Sequence, residues 1–331
     1  MNDHEQRDAA APAVAATAAA PAAAERERDA EIPSVTAVVA SDRPEAQLAQ
    51  CLAALLPQVR ALDAELIVAR ATATDADRAA LAERWPEVRF IAAPSGTTIP
   101  RLRGLGMAAA TGDVVALTDD HVVADRNWLE TLTRQASGDD ADVVGGGVDN
   151  ARRDRAVDWA AYFAEYGFYA PTRPEARPEE VPSLLAGANV AYKRRVVADV
   201  VAWAQQGDWE TVAHDKLRAR GSVFRFARTA AVYQNDSYRI GDFCVDRYRN
   251  GRDYARRRLV EESEAKRWVL LAGSPLLPFV LTWRVSRAAA RSRLRAFARA
   301  LPATFLFLAC WSLGEAVGYA KGPLRPEDGR D

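Results

Sequence analysis

Order in this chain announces itself at Val35. Val35-Thr-Ala-Val-Val-Ala-Ser41 is a short run of β-branched and small residues, the kind a strand buried on both faces carries. From Glu45 the pattern changes to helical spacing, with Leu48, Cys51, Leu52, Leu55 and Leu56 on one face. Ala64-Glu-Leu-Ile-Val-Ala69 predicts a second strand, Asp75–Trp85 a helix, and Val88-Arg-Phe-Ile-Ala92 a third strand. Ile99–Ala110 predicts a helix that stops at Thr111-Gly112. Asp113-Val-Val-Ala-Leu-Thr118 is a fourth strand, and it runs directly into Asp119-Asp120-His121.

Strands that alternate with helices predict βαβ units, an α/β fold and a mostly parallel sheet. Ligands of such sheets collect at the carboxyl ends of the strands. Asp119, Asp120 and His121 fall at such an end.

Beyond Asp142 the pattern is less regular. Val143-Val-Gly-Gly-Gly-Val148 reads as a strand whose glycines admit another backbone or a ligand. An aromatic helix follows, with Trp159, Tyr162, Phe163, Tyr166, Phe168 and Tyr169, and the proline-rich stretch from Pro171 to Pro182 reads as a loop. Leu185-Ala-Gly-Ala-Asn-Val-Ala-Tyr192, a helix over Trp209–Gly221 and a strand over Val223–Phe226 complete the pattern.

Two apolar stretches come last. Trp268–Trp283 would span about 24 Å as a helix at ~1.5 Å per residue, short of a ~30 Å hydrocarbon core, and holds Pro275 and Pro278. Leu301–Ala320 is long enough to cross but carries Glu315. Between them lie Arg284, Arg287, Arg291, Arg293, Arg295 and Arg299. If both stretches crossed, these arginines would face away from a cytoplasmic domain, against the positive-inside tendency. Interfacial or re-entrant attachment at the cytoplasmic face of a membrane is therefore the expectation, with one span as the next reading and two soluble core helices as the third.

Charge supports the membrane reading. The chain is nearly neutral overall, at −1, yet Asp246–Arg299 holds 14 Lys and Arg against 5 Asp and Glu. A basic block beside apolar stretches fits an anionic membrane surface better than nucleic acid, with a solvated basic helix as the alternative on charge alone. Cys51, Cys244 and Cys310 show neither metal nor disulfide spacing. The start, with Asp3, Glu5, Arg7 and Asp8, lacks the positive charge of an export signal. The expected division is a disordered Ala/Pro tail over residues 1–31 and an α/β domain over 32–240. A basic linker over 241–267, membrane-associated helices over 268–320 and a tail over 321–331 complete it.

Four segments carry candidate chemistry. Adjacent carboxylates at Asp119 and Asp120 suit a hard cation such as Mg²⁺ or Mn²⁺, although Asp serves equally well in a helix cap or a turn. On a Trp209–Gly221 helix, Glu210 and His214 lie one turn apart, a carboxylate beside an imidazole or an ordinary polar ladder. Gly187-Ala-Asn189 suits a backbone turning tightly around a ligand, or a plain strand-to-helix turn. Arg101 or Arg103 could meet a phosphate.

Together these segments resemble family-2 inverting glycosyltransferases with the GT-A fold. The resemblance rests on Val35–Ser41, Arg103-Gly-Leu-Gly106, Gly112-Asp-Val-Val-Ala-Leu-Thr-Asp-Asp120, Gly187-Ala-Asn-Val-Ala-Tyr-Lys-Arg194 and Trp209-Glu210 through Leu217-Arg-Ala-Arg-Gly221. It spans roughly Pro33 to Gln234. It implies a nucleotide-diphosphate sugar as donor and a divalent metal, Mg or Mn, with Asp120 as ligand and His121 or water completing the shell. It implies donor contacts from Ser41, Arg103 and Asp119, and Glu210 as the base. Gly187, Asn189 and His214 would stand on the acceptor side.

Three departures matter. Thr118 replaces the first Asp of the Asp-x-Asp motif. Ala69-Arg70-Ala71-Thr72 stands where the family has Asp-Asp-Gly-Ser, and only Glu210 stands where two acids are common, Asp215 lying five positions on. The Gln-x-x-Arg-Trp sequence of processive synthases is absent, which implies transfer of a single sugar. The acceptor expected for a chain built to sit on a membrane is a lipid or a lipid-linked glycan. The competing reading is a catalytically inactive relative that keeps the fold as a membrane scaffold.

Overall fold

The computed structural model describes residues 32–71, 75–138, 140–171, 185–290 and 293–323. The tail over 1–31, all but the first residue of the loop from Pro171 to Pro182, and the residues after 323 lie outside the described residues. Val35–Ser41 forms β1, Glu45–Ala61 α1, Glu65–Ala71 β2, Asp75–Arg84 α2, Arg89–Ala93 β3 and Ile99–Ala109 α3. Val114–Asp119 is β4, Val122–Ala124 β5, Trp128–Ser137 α4, Val143–Asn150 β6 and Ala156–Tyr166 α5, which runs into a 3₁₀ turn at Gly167–Tyr169. Val190–Lys193 is β7, Arg194–Gln206 α6, Glu210–Ala219 α7 and Phe224–Gln234 β8. Four helices close the chain: Ile240–Arg258 (α8), Glu264–Gly273 (α9), Leu277–Ala290 (α10) and Leu294–Lys321 (α11).

The strands form one sheet in the order β3-β2-β1-β4-β7-β6-β8-β5. The β1–β2, β1–β4 and β2–β3 pairs are parallel, as the alternating pattern predicts. Beyond β4 the sheet is mixed: β7 runs antiparallel to both β4 and β6, β6 pairs with β8 in parallel, and β5 closes the edge antiparallel to β8. The short strands β5 and β7 were not expected from the pattern, and β8 is longer than the expected Val223–Phe226.

Pleating divides β1 between two cores. Val35, Ala37 and Val39 join Leu48, Leu52 and Leu55 of α1, together with Trp128 and Leu132 of α4. Val38 faces the other way, to Met107, Val196, Val200 and Leu217 of α3, α6 and α7. With both faces covered, all seven residues of β1 are buried. The carboxyl ends of β1, β2 and β4 are thereby held level: Ala40 pairs with Asp119, and Ser41 with Arg70.

The two closing apolar stretches behave differently. Each is long and apolar enough to cross a membrane, but 39% of the apolar window in α11 is buried against 17% in the helix spanning Glu264–Ala289. Helix α11 packs on α8 almost backbone to backbone. A Cβ on Gly251 would sit 2.3 Å from the Trp311 carbonyl oxygen, and one on Gly314 would sit 2.1 Å from that of Tyr248. Farther along, Phe297 meets Phe163 edge-on at 5.2 Å and Phe307 meets Phe243 at 4.6 Å. Glu315, the odd carboxylate in this stretch, accepts hydrogen bonds from Trp311 Nε1 and from Tyr319 Oη, the latter at 2.7 Å. By contrast α9, α10 and the turn between them expose Trp268, Val269, Leu276, Phe279 and Trp283. Helix α11 also begins seven residues before the expected Leu301, so Arg295 and Arg299 are helical rather than part of a connection.

Candidate functional site

Strand β4 delivers its acids into a crowded, buried corner. The Asp120 amide donates to the Ala40 carbonyl at 3.1 Å, continuing the sheet one residue past the strand. Its Oδ2 accepts from Ser41 Oγ at 2.7 Å and from the Arg43 amide at 2.9 Å. The Arg70 guanidinium lies 3.8 Å from the same oxygen and also donates to Ser41 Oγ. Burial pushes the Asp120 carboxyl up, against the opposing pull of those two hydrogen bonds.

The other Asp120 oxygen, Oδ1, is buried without a hydrogen-bond partner, as is Nδ1 of His121. The two atoms are 4.0 Å apart. Nε2 of His121 pairs with Tyr166 Oη at 2.9 Å, which fixes the ring and leaves Nδ1 facing the carboxylate. Two unpartnered buried polar atoms cost free energy unless something joins them, and with the Nε2 tautomer both are acceptors that a cation would satisfy. A carboxylate oxygen with an imidazole nitrogen is a donor set that Mn²⁺ accepts, whereas Mg²⁺ would rely on the carboxylate oxygen. Among the described residues no cluster of three or more His, Cys, Asp or Glu could hold a metal. The described residues therefore offer two ligands there, as befits an ion whose remaining positions are filled by substrate phosphates and water.

Arg103 links this corner to helix α7. Its Nε and Nη2 donate to Asp119 Oδ1 and Oδ2 at 3.1 and 2.6 Å, a bidentate fork, and Nη1 donates to Glu210 Oε2 at 2.9 Å. Burial works against the charge of this guanidinium, but Asp119 and Glu210 hold it cationic. Gly187 makes the arrangement possible: a Cβ there would lie 2.1 Å from Arg103 Nη1 and 2.9 Å from Glu210 Cδ. Only a residue without a side chain fits beside the pair.

Ser41, Arg103, Asp119, Asp120, His121, Gly187 and Glu210 are thus joined in one constellation. Asn189 and His214 stand apart from it. Asn189 is fully buried and acts as a structural tie: Oδ1 accepts from Trp128 Nε1 at 2.8 Å, and Nδ2 donates to the carbonyls of Gly147 and Ala230 at 2.8 and 3.1 Å. His214 pairs with Tyr192 Oη at 2.7 Å and packs edge-on against Phe224. Burial, with Arg218 and Arg103 adding to it, lowers its pKa to about 3, so the ring is neutral. It shares a helix with Glu210 but lines neither cavity described below. Arg101 is exposed on α3, and Asp215, also exposed, pairs with Arg218 at 3.2 Å.

Two cavities flank the constellation. One, of about 460 Å³, lies over the ends of β2 and α2 and is lined by Glu45, Arg70, Asp77 and Arg84. The other, of about 290 Å³, opens between α7 and the closing helices and is lined by Glu210, Trp209, Glu165, Tyr169, Arg247 and Trp311 among others. Sequence reasoning missed Arg70, Tyr166, Glu165 and Arg247 as site residues. For Arg70 a signal existed, since it ends β2 level with Ser41. The other three come from elements whose approach no local pattern encodes.

A family model described as glycosyl transferase family 2 matches residues 36–201. A glucosyl-dolichyl phosphate glucuronosyltransferase from Haloferax volcanii is 32% identical over 126 residues, covering 34% of this chain and 38% of the relative. The matched part is thus well under half of that relative's length. Among solved structures, the mannosyltransferase PcManGT from Pyrobaculum calidifontis, in complex with GDP-Man and Mn²⁺, superposes with a TM-score of 0.54 at 17% identity. That superposition covers 90% of this chain and 92% of the other, a likeness of fold.

Proposed function

The chain belongs to glycosyltransferase family 2, and on that premise we propose that it moves one sugar, with inversion, from a nucleotide-diphosphate sugar to the hydroxyl of a lipid or lipid-linked glycan at a membrane surface. The observation that carries this reading is the Asp119–Arg103–Glu210 bridge, which joins the tip of β4 to the acid on α7 beside an open cavity.

In this reading Glu210 accepts the proton of the acceptor hydroxyl as its oxygen bonds to the anomeric carbon. The bond from that carbon to the diphosphate breaks on the opposite face, and the nucleoside diphosphate departs. Arg103 engages one oxygen of Glu210 and so fixes the carboxylate toward the acceptor cavity. Asp120 and His121 would hold the divalent cation, which when bound offsets the charge developing on the leaving diphosphate. The recess lined by Arg70 and Arg84 would receive the nucleoside, with Ser41 accepting a hydrogen bond from Arg70 behind its wall. PcManGT, solved with GDP-Man and Mn²⁺, supports the choice of ligands, and the dolichyl phosphate in the Haloferax relative's name supports a lipid-borne acceptor.

Attachment would be interfacial. Helix α11 is fixed to α8, which carries Arg249, Arg252, Arg256, Arg257 and Arg258. A bilayer-spanning α11 would draw that basic helix toward hydrocarbon, at prohibitive cost. The exposed aromatic and aliphatic residues of α9 and α10 suit shallow insertion instead, with the exposed Arg284 and Arg287 at the headgroups.

A thermal-shift panel of nucleotide-diphosphate sugars, with and without Mn²⁺, tests the proposal. At a hundredfold excess over Kd the matching donor should stabilise the protein by about 2.7 kcal/mol. The shift should require Mn²⁺ or Mg²⁺ and should vanish in Asp120→Asn. If no donor shifts the transition with either metal, or if Asp120→Asn responds like the parent, the reading is wrong.

A further inference from the structure

From the cavity beside Glu210 we infer that the reacting hydroxyl is carried on a neutral sugar ring: the chain extends a glycan already in place and does not start one on a bare lipid phosphate or alcohol. This rests on Glu210 as the acceptor's base, as proposed above. It decides between the acceptor classes which that proposal leaves together.

Lining chemistry is the first argument. Rings of Tyr169, Trp209, Tyr254 and Trp311 line the cavity alongside Glu165 and Asn250. A pyranose has apolar C–H faces and a rim of hydroxyls, so it needs aromatic walls together with planar acceptors and donors. An alkanol would leave the polar groups unused, which is unfavourable in a half-buried site.

Charge is the second argument. Three carboxyl groups, Glu165, Glu210 and Glu315, border this space. Facing them are Arg247, 8% exposed, and the exposed Arg284, whose guanidinium lies 5.1 Å from the Phe168 ring. Arg247 is already engaged: Nη2 donates to the Ala164 carbonyl at 3.1 Å, and its guanidinium lies 4.3 Å over the Trp311 ring. Its Nε is buried and has no partner, a donor that the cavity wall leaves unsatisfied. A phosphate monoester brought against Glu210 would meet like charge at short range. It would also need no base, since its second ionisation lies near pH ~6. A sugar hydroxyl is neutral, bonds well to carboxylates and requires the base that Glu210 supplies.

Size is the third. About 290 Å³ is at the small end of ligand cavities, which run from roughly 300 to 1,000 Å³. It suits a ring and not a long chain. The remainder of the acceptor would leave past Leu281 and Arg284 of α10, next to the exposed Phe279 and Trp283. The acceptor must therefore come from an earlier glycosyl or glycosyl-phosphate transfer onto a lipid.

The test uses the full chain and three probes of matched tail: hexyl hexosides (glucoside and mannoside), hexanol and hexyl phosphate. In saturation-transfer NMR a hexoside should show ring-proton contacts, and neither hexanol nor hexyl phosphate should displace it. Asn250→Ala and Glu165→Gln should each weaken the hexoside about tenfold. With the donor and metal from the thermal-shift panel, transfer should go to the hexoside. Binding of hexanol or hexyl phosphate equal to that of the hexosides, or no binding of either hexoside, overturns the inference. Glu210-dependent transfer to hexyl phosphate would sink it while leaving the glycosyltransferase reading intact. Failure of every donor to bind would remove that reading and the inference with it.

Discussion

Arg103→Met perturbs the contact on which the site depends. In the folded chain three of the guanidinium's N–H groups serve two carboxylates, and Arg103 and Asp119 are 6% and 1% exposed. Met has nearly the right length but no charge, so Asp119 is left as a buried anion and Glu210 loses its partner. Breaking a buried ion pair from one side typically costs about 3–5 kcal/mol. Against a total stability of about 5–15 kcal/mol, that is a third or more of the whole in many proteins. Arg103→Lys keeps the charge but cannot reach both carboxylates with a fork, and should cost about 1–3 kcal/mol. Arg103→Met with Asp119→Asn should recover part of the loss, a coupling of about 1–3 kcal/mol. Urea unfolding followed by circular dichroism and tryptophan fluorescence measures all three, provided the m-value stays constant. An Arg103→Met protein within about 1 kcal/mol of the parent, or a double variant that is merely additive, would refute the reasoning.

Gly187→Ala should place a methyl 2.1 Å from Arg103 Nη1, costing about 1–3 kcal/mol and lowering turnover more than stability alone explains; unchanged turnover would count against the close fit. His214 titrates near 3 when folded and near 6.5 when unfolded, so the unfolded chain binds the extra proton between those values. Its contribution is therefore complete above about pH 6.5 and lost as pH falls toward 3, worth up to about 5 kcal/mol. His214→Gln should flatten that part of the stability–pH curve, and a wild-type to variant difference that stays constant from pH 7 to 4 would contradict the assignment.

The first four strands were legible because burial on both faces demands continuous apolar runs, and each run is long enough to stand out. Strands β5 and β7, with three and four residues, are too short to show a period, and their pairing with β8 and β4 is set by tertiary contact. In the site, the acids at the end of β4 could be read because strand tips carry ligands. The bridge from Arg103 to Glu210 could not, since 107 residues separate them. The Glu210–His214 spacing misled for a specific reason. A turn of helix puts both on one side, but α7 turns its first residue to the cavity while Tyr192 and Phe224 enclose the imidazole. Asn189 misled in another way: a residue suited to turns is here a three-way tie between α4, β6 and β8.

Everything chemical turns on whether Glu210 removes the acceptor's proton. Comparing Glu210→Gln with the parent, in donor affinity by calorimetry and in transfer rate, addresses that directly. Gln still accepts a hydrogen bond from Arg103, so the site keeps its shape while losing its base. Donor affinity should be retained and kcat should fall by about 10²–10⁴-fold. Transfer within about tenfold of the parent, less than a lost base costs, or a loss of donor affinity that accounts for the whole defect, would contradict the account.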